Sequence, residues 1–157
     1  MPTPPISEDL LKLADQALTT GNYQQASKYF ESHADLLLSV DREQAARYFA
    51  TASKYEKVDF QRALNLYQKT FKIYKQLGKV EDSANILMEI GLLYLALGKT
   101  DVARKQFKIG TTIYLEIVRD HIHNLGGPLT QIEHDYLMES LDKVKQCFHQ
   151  LFLKESR

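Results

Sequence analysis

The sequence lacks several features that mark common classes of protein. Its single cysteine, Cys147, rules out an intramolecular disulfide and favours a reducing compartment, so we expect a cytoplasmic protein. No apolar run approaches the roughly 20 residues of a membrane span, and the N-terminus lacks the basic start and apolar core of a signal peptide. The formal net charge of 0 argues against a dominant nucleic-acid footprint. We therefore expect neither a membrane nor a nucleic acid as partner.

Motifs for catalysis and for metal binding are also missing. His121 and His123 are two residues apart, so on a helix they point to different sides, whereas metal ligands on one helix are usually four apart. The loop at Gly126 and Gly127 lacks the GK[ST] element of a phosphate loop and follows no strand. Cys147 lies in an apolar helical stripe, which favours a buried, inert thiol over a nucleophile. We predict no enzyme, no cofactor and no metal.

Helical spacing of apolar residues is what the sequence does contain, from about residue 7 to residue 154. Asn22 and Asp41 are each followed three residues later by glutamine, which is the capping-box pattern of a helix start. Asp59 is the predicted cap of a further helix, although no glycine marks the break before it. Glycines end other helices, as Gly78 does. These signals predict an all-α fold of about seven helices.

An alanine followed four residues later by an aromatic residue recurs once in each successive pair of helices. The three copies are Ala26/Phe30, Ala63/Tyr67 and Ala103/Phe107. Their alanines are 37 and 40 residues apart, which indicates an internal repeat. We predict three helical hairpins at about residues 7–40, 41–79 and 80–124, preceded by a disordered lead-in over residues 1–6.

The repeat resembles the tetratricopeptide repeat (TPR) family, whose motif is W-x₂-L-G-x₂-Y…A-x₃-F. The third copy matches it best, through Leu87, Ile90, Gly91, Tyr94, Ala103 and Phe107. The family repeat is about 34 residues long, and the longer repeats here are similar to those of vesicle-fusion adaptor proteins and of bacterial regulators that bind peptides. The resemblance implies a right-handed superhelix of hairpins. It also implies a non-enzymatic protein–protein interaction module, acting as a scaffold, an adaptor or a chaperone-like protein.

The same resemblance implies a concave groove lined by the first helix of each hairpin. Asn85 is the only side chain there with the polar head that a clamp for a peptide carboxylate uses. The surface is otherwise apolar and aromatic, so the implied partner is a protein or peptide that offers an apolar segment or helix. The predicted contacts are Tyr48, Ala52, Tyr55, Asn85, Met88 and Leu92.

A last amphipathic helix is predicted over residues 130–157, after a capping box at Thr130 and Glu133. We predict that it is a capping helix over the end of the array. The alternatives are that it occupies the chain's own groove or forms the seam of a homodimer. The alternative function is therefore a self-associating structural protein that dimerises through this helix or an array end. Its predicted inward stripe, with 4-3 spacing, is Leu137, Leu141, Val144, Phe148 and Leu151.

Charge is unevenly distributed along the chain. Residues 41–80 hold nine basic side chains against four acidic ones, whereas residues 1–40 hold two against five. The favoured interpretation is a solvated helix exterior. The third functional hypothesis is a basic docking patch formed by Lys69, Lys72, Lys75 and Lys79.

Overall fold

The computed structural model describes residues 7–124, 127–128 and 130–155, without the side chains of residues 7, 121 and 155. The part of the chain so described consists of helices and turns, with no strand. The predicted all-α fold of about seven helices is confirmed. The lead-in predicted over residues 1–6 lies outside the described residues. The helices are α1 (Ser7–Thr19), α2 (Tyr23–Leu37), α3 (Arg42–Tyr55), α4 (Phe60–Gln76), α5 (Val80–Ala96), α6 (Thr100–Asn124) and α7 (Gln131–Glu155).

Side-chain caps fix where three of the helices begin. The carboxylates of Asp41 and Asp59 and the amide oxygen of Asn22 each accept a hydrogen bond from the backbone N–H three residues later, at 3.0–3.2 Å. At the other end, Gly78 and Gly98 follow α4 and α5 with φ of +70° and +77°, a conformation that favours glycine. Local sequence therefore sets these boundaries. None of the described helices is long and apolar enough to cross a membrane.

The helices form two compact units, Met1–Lys79 and Val80–Arg157. In the first unit each helix packs against the next one along the chain. Small side chains lie at the centre of these contacts and let the helix backbones approach closely, while aromatic side chains fill the remaining space. The fully buried alanines of this unit are Ala14, Ala26, Ala34, Ala45, Ala46 and Ala52.

A buried ion pair holds the turn between α3 and α4, where the sequence has no glycine. The Arg62 guanidinium donates hydrogen bonds to the Glu56 carboxylate at 3.0 Å and to the Ser27 hydroxyl at 2.8 Å. The Glu56 side chain has no exposed surface, and Ser27 in turn donates to the backbone carbonyl of Ala52 at 2.6 Å. The network ties α2, the end of α3 and the start of α4 together.

In the second unit α5 and α6 form a hairpin, and α7 packs against both of them. The Phe107 ring lies directly on the backbone of Gly91, where a Cβ atom would overlap it. The Met88 thioether lies against Gly110 in the same way. Glycine at these two positions therefore allows large side chains to fill the hairpin. The buried core of this unit is Ala84, Met88, Leu95, Ala103, Phe107, Tyr114, Cys147 and Leu151.

The inward face of α7 differs from the predicted one. Leu141 was expected in the inward stripe and is 44% exposed, while Ser140 and Cys147 are buried. Leu137 and Leu151 are buried as predicted. The residues of α7 that face α5 and α6 are spaced 3-4-3-4 from residue 137. The buried face is therefore turned slightly around the helix axis from the predicted one. As a result, the 4-3 stripe that contains Leu141 runs along the edge of the contact.

Candidate protein-interaction surface

Three of the predicted groove residues lie on α3, in the first unit. Ala52 is fully buried, and its carbonyl accepts the Ser27 hydrogen bond. Tyr48 and Tyr55 are half-buried, one helical turn to either side of Ala52. Only the two tyrosines therefore offer surface to a partner.

Both tyrosines belong to a line of five rings between α2 and α3. The ring centroids of Tyr23 and Tyr55 are 6.1 Å apart, with an angle of 4° between the ring planes. Tyr55 also stacks on Phe30 at 5.8 Å, and Tyr48 stacks on the same ring at 6.2 Å. His33 meets Tyr48 edge-on at 4.4 Å. We call these five residues the aromatic row.

The rings of the aromatic row differ in burial, and the most exposed ring, Tyr23, is at one end of the row. Phe30 and His33 are buried, Tyr48 and Tyr55 are half-buried, and Tyr23 is 48% exposed at the start of α2. Exposed aromatic rings combine apolar area with few rotatable bonds, which suits them to contacts with a protein partner. Tyr23 is not among the six contacts predicted from sequence. It lies at the start of α2, and no local spacing relates it to Tyr55, its ring partner on α3.

The other three predicted groove residues lie on α5, in the second unit, and α7 covers two of them. Met88 is fully buried, and the amide oxygen of Asn85 accepts a hydrogen bond from Lys143 Nζ of α7 at 3.0 Å. Leu92 is half-buried beside a cleft of about 420 Å³ between α5 and α7, which Cys147 also lines. Met88 and Asn85 are therefore engaged by the chain itself.

Packing of α7 on α5 and α6 also raises the pKa values of two side chains on α7, Cys147 and Tyr136. Desolvation, with a smaller contribution from Glu89, raises the pKa of the Cys147 thiol to about 11. Burial, and then a hydrogen bond with Glu81, raises the pKa of Tyr136 to about 12. A thiol that stays protonated is a poor nucleophile. The predicted burial of Cys147 is confirmed.

The lysines of the hypothetical basic patch, on α4 and in the turn after it, make contacts of their own. Lys69 Nζ lies 4.6 Å from the centre of the Phe49 ring, and Lys79 Nζ lies 3.5 Å from a Glu43 carboxylate oxygen. Lys72 is exposed. These contacts favour a solvated helix exterior over a basic docking patch, because Lys69 and Lys79 already interact with side chains of the chain itself. Within residues 7–124, 127–128 and 130–155, no group of three or more His, Cys, Asp or Glu side chains could hold a metal ion.

The family model for soluble NSF attachment protein, SNAP, matches residues 8–118, from α1 into the second half of α6. The chain belongs to this family. SNAP proteins are helical-repeat protein-interaction modules, and the sequence prediction of a helical repeat is confirmed at that level. No curated protein matches the chain.

The family match includes the candidate surface residues but not α7. The aromatic row lies wholly inside the matched residues, as do Asn85, Met88 and Leu92. Helix α7 begins at Gln131 and lies wholly outside them. The helix that covers α5 is therefore an element that the family match does not describe.

Proposed function

We propose that this chain is a non-enzymatic adaptor that binds an apolar segment of a partner protein along the aromatic row. The observation that carries the proposal is the half-exposed stack of Tyr23 and Tyr55, inside the residues that match a family of protein-interaction modules. Ala52 is fully buried, so it is not expected to touch the partner.

The exposed rings of the aromatic row can bind a partner at a low cost in side-chain entropy. The five rings already pack between α2 and α3, so the row is ordered before a partner arrives and little side-chain entropy is lost on binding. The exposed part of Tyr23 and the edges of Tyr55 and Tyr48 offer apolar area with hydroxyl groups at the rim. Tyrosine is among the residues that most often dominate interface energies. We expect Tyr23 and Tyr55 to be the main contacts.

The six predicted groove residues differ in how accessible they are to a partner. Tyr48 and Tyr55 are proposed to contact the partner directly. Met88 and Asn85 would reach a partner only after α7 had moved, because α7 contacts or covers both. The family name states attachment to NSF, so NSF is the first partner protein to test.

Site-specific photo-crosslinking tests this proposal. A photoreactive phenylalanine analogue is placed at Tyr23 in one variant and at Leu36 in another, and each is irradiated in the native cells. Leu36 is the matched control, because it is on the same helix and equally exposed at 48%. It lies about 140° around the helix from Tyr23 at about 100° per residue. We expect the probe at Tyr23 to label a partner protein and the probe at Leu36 not to.

The captured protein is then identified by mass spectrometry and purified. Its affinity is expected to fall at least about tenfold for Tyr23→Ala, which corresponds to about 1.4 kcal/mol. The affinity for Leu36→Ala is expected to stay within about twofold. Equal labelling from both positions, or equal affinities of the two variants, would contradict a binding role for the aromatic row.

A further inference from the structure

Helix α7 has a second stripe along the edge of the face that packs on α5 and α6, and the two faces meet at Phe148. The stripe repeats at 4-3-4-3-4 spacing, which places all its members along one side of the helix. Met138 is 47% exposed and Leu141 44% exposed, while Phe148 is half-buried against Phe107. We call this the outer stripe: His134, Met138, Leu141, Lys145, Phe148 and Phe152.

Charge is separated along α7 as well. The part from residue 131 to residue 142 carries four acids and no lysine or arginine. The part from residue 143 to residue 155 carries three lysines and one acid. Of these lysines, Lys143 is held by Asn85 on the inner side. Lys154 lies about 160° around the helix from Phe152 and so points away from the outer stripe. Lys145 is the exposed lysine within the stripe. Three acids of the first part are exposed, namely Asp135, Glu139 and Asp142, whereas Glu133 is half-buried.

We infer that α7 pairs in an antiparallel manner with the α7 of a second copy of this chain, through the outer stripe. A two-fold axis near residue 143 places Leu141 of one copy opposite Lys145 of the other, and Met138 opposite Phe148. The aliphatic stem of Lys145 covers Leu141, while its ammonium group reaches the neighbouring carboxylate of Asp142. Each of these contacts occurs twice, as a symmetric dimer requires.

Electrostatics selects this orientation over a parallel one. A parallel pair would place the acidic part of one helix beside the acidic part of the other, and Lys145 beside Lys145. Like charges that face each other across a helix seam disfavour the pairing. The antiparallel pair instead puts the acidic part of each helix beside the basic part of its neighbour. This complementarity is the reason for assigning the seam to a second copy of the chain.

The inference goes beyond the proposed adaptor function, because it concerns a helix that lies outside the family match and a surface remote in sequence from the aromatic row. The two surfaces are also separable by experiment. Crosslinking from Tyr23 reports on the partner protein and is independent of the oligomeric state. The mass of the purified chain reports on α7 alone.

Sedimentation equilibrium of the purified chain gives the first test. We expect a monomer–dimer equilibrium with a Kd in about the micromolar range, weakened by salt because it depends on charge pairs near the surface. Met138→Glu with Leu141→Glu is expected to give a monomer at all accessible concentrations. Ile132→Glu is the control: Ile132 is 82% exposed on the same helix and lies off the outer stripe. It should leave the dimer intact.

A charge swap tests the orientation. Asp142→Lys alone and Lys145→Asp alone are each expected to raise the Kd at least about fivefold, which corresponds to about 1 kcal/mol. Combining them restores the parent value, because the pair across an antiparallel seam is then reversed rather than broken. Circular dichroism confirms that each variant is folded. A parent chain that is monomeric at hundred-micromolar concentration would overturn the inference, as would a double variant weaker than both single ones.

Discussion

Arg62→Ala is expected to lower the free energy of unfolding by about 3–5 kcal/mol, the usual cost of breaking a buried ion pair from one side. The Glu56 carboxylate has no exposed surface, and Arg62 is the cation that pairs with it at 3.0 Å. Its second oxygen, Oε2, has no hydrogen-bond partner among the described residues. Removing Arg62 therefore leaves a buried charge without compensation and also takes a donor from Ser27. Urea unfolding followed by circular dichroism measures the loss.

Arg47→Ala is the matched control for this prediction. Arg47 pairs with Glu43 at 2.9 Å, a distance similar to that of the buried pair, but both side chains are on the surface of α3. An exposed pair of this kind contributes about 0.3–0.5 kcal/mol. If the two variants lost similar amounts of stability, the turn between α3 and α4 would not depend on a buried charge pair.

Phe107→Ala is expected to cost about 3–5 kcal/mol, because it removes the largest fully buried ring of the second unit and leaves a cavity. The ring lies between the backbone of Gly91 and the Phe148 ring of α7, so the variant loosens the hairpin and the covering helix together. Ile109→Ala on the same helix is the control, since Ile109 is about half exposed, and is expected to change stability by less than about 0.5–1 kcal/mol. Thermal and urea unfolding measure both.

A double-mutant cycle with Gly91 shows whether contact with the ring is the cause. Gly91→Leu in the parent chain is expected to destabilise by about 1–3 kcal/mol, because the new side chain overlaps Phe107. In the Phe107→Ala background the same change fills the vacated space and costs less, or stabilises. Additive effects of the two substitutions would mean that the two residues do not share this space.

The parts of this fold that could be predicted from sequence are those that local physics decides. Helix caps such as Asn22 and Asp59 act on backbone groups three residues away, so their spacing alone identifies them. The recurring alanine and aromatic pairs mark close approach of two helices joined by a short turn. For these reasons the all-α fold and the hairpin motif were within reach of pattern analysis.

The parts that could not be predicted depend on contacts between residues distant in sequence. Nothing in the spacing relates Tyr23 to Tyr55, although their rings stack in parallel. The rotation of α7 is a second example. Its sequence offers two adjacent stripes, and only packing against α5 and α6 decides that Cys147 rather than Leu141 points inward. Burial of Met88 follows from that same packing and from the small size of Gly110.

The two compact units differ in their proposed tasks. The first unit carries the aromatic row, whose exposed rings are proposed to bind a partner protein. In the second unit α7 covers the α5 face around Met88, and its outer stripe is proposed to contact a second copy of the chain. The dimer proposal requires that α7 stays packed on α5 and α6, because the outer stripe is defined by that packing. If α7 were detached, Met88 and Leu92 would be open, and α5 would offer a second surface to a partner.

The lone cysteine provides the most direct test of that requirement. Cys147 lies on the inner side of α7, is buried, and keeps its proton to a pKa of about 11. At pH 8 its thiolate fraction is therefore roughly two hundredfold below that of an ordinary cysteine with a pKa of about 8.5. The rate of reaction with a chromogenic disulfide reagent is measured at pH 8 in the folded chain and again in urea. We expect the folded chain to react at least about a hundredfold more slowly. Similar rates in the two conditions would show that α7 does not cover α5 and would contradict the account.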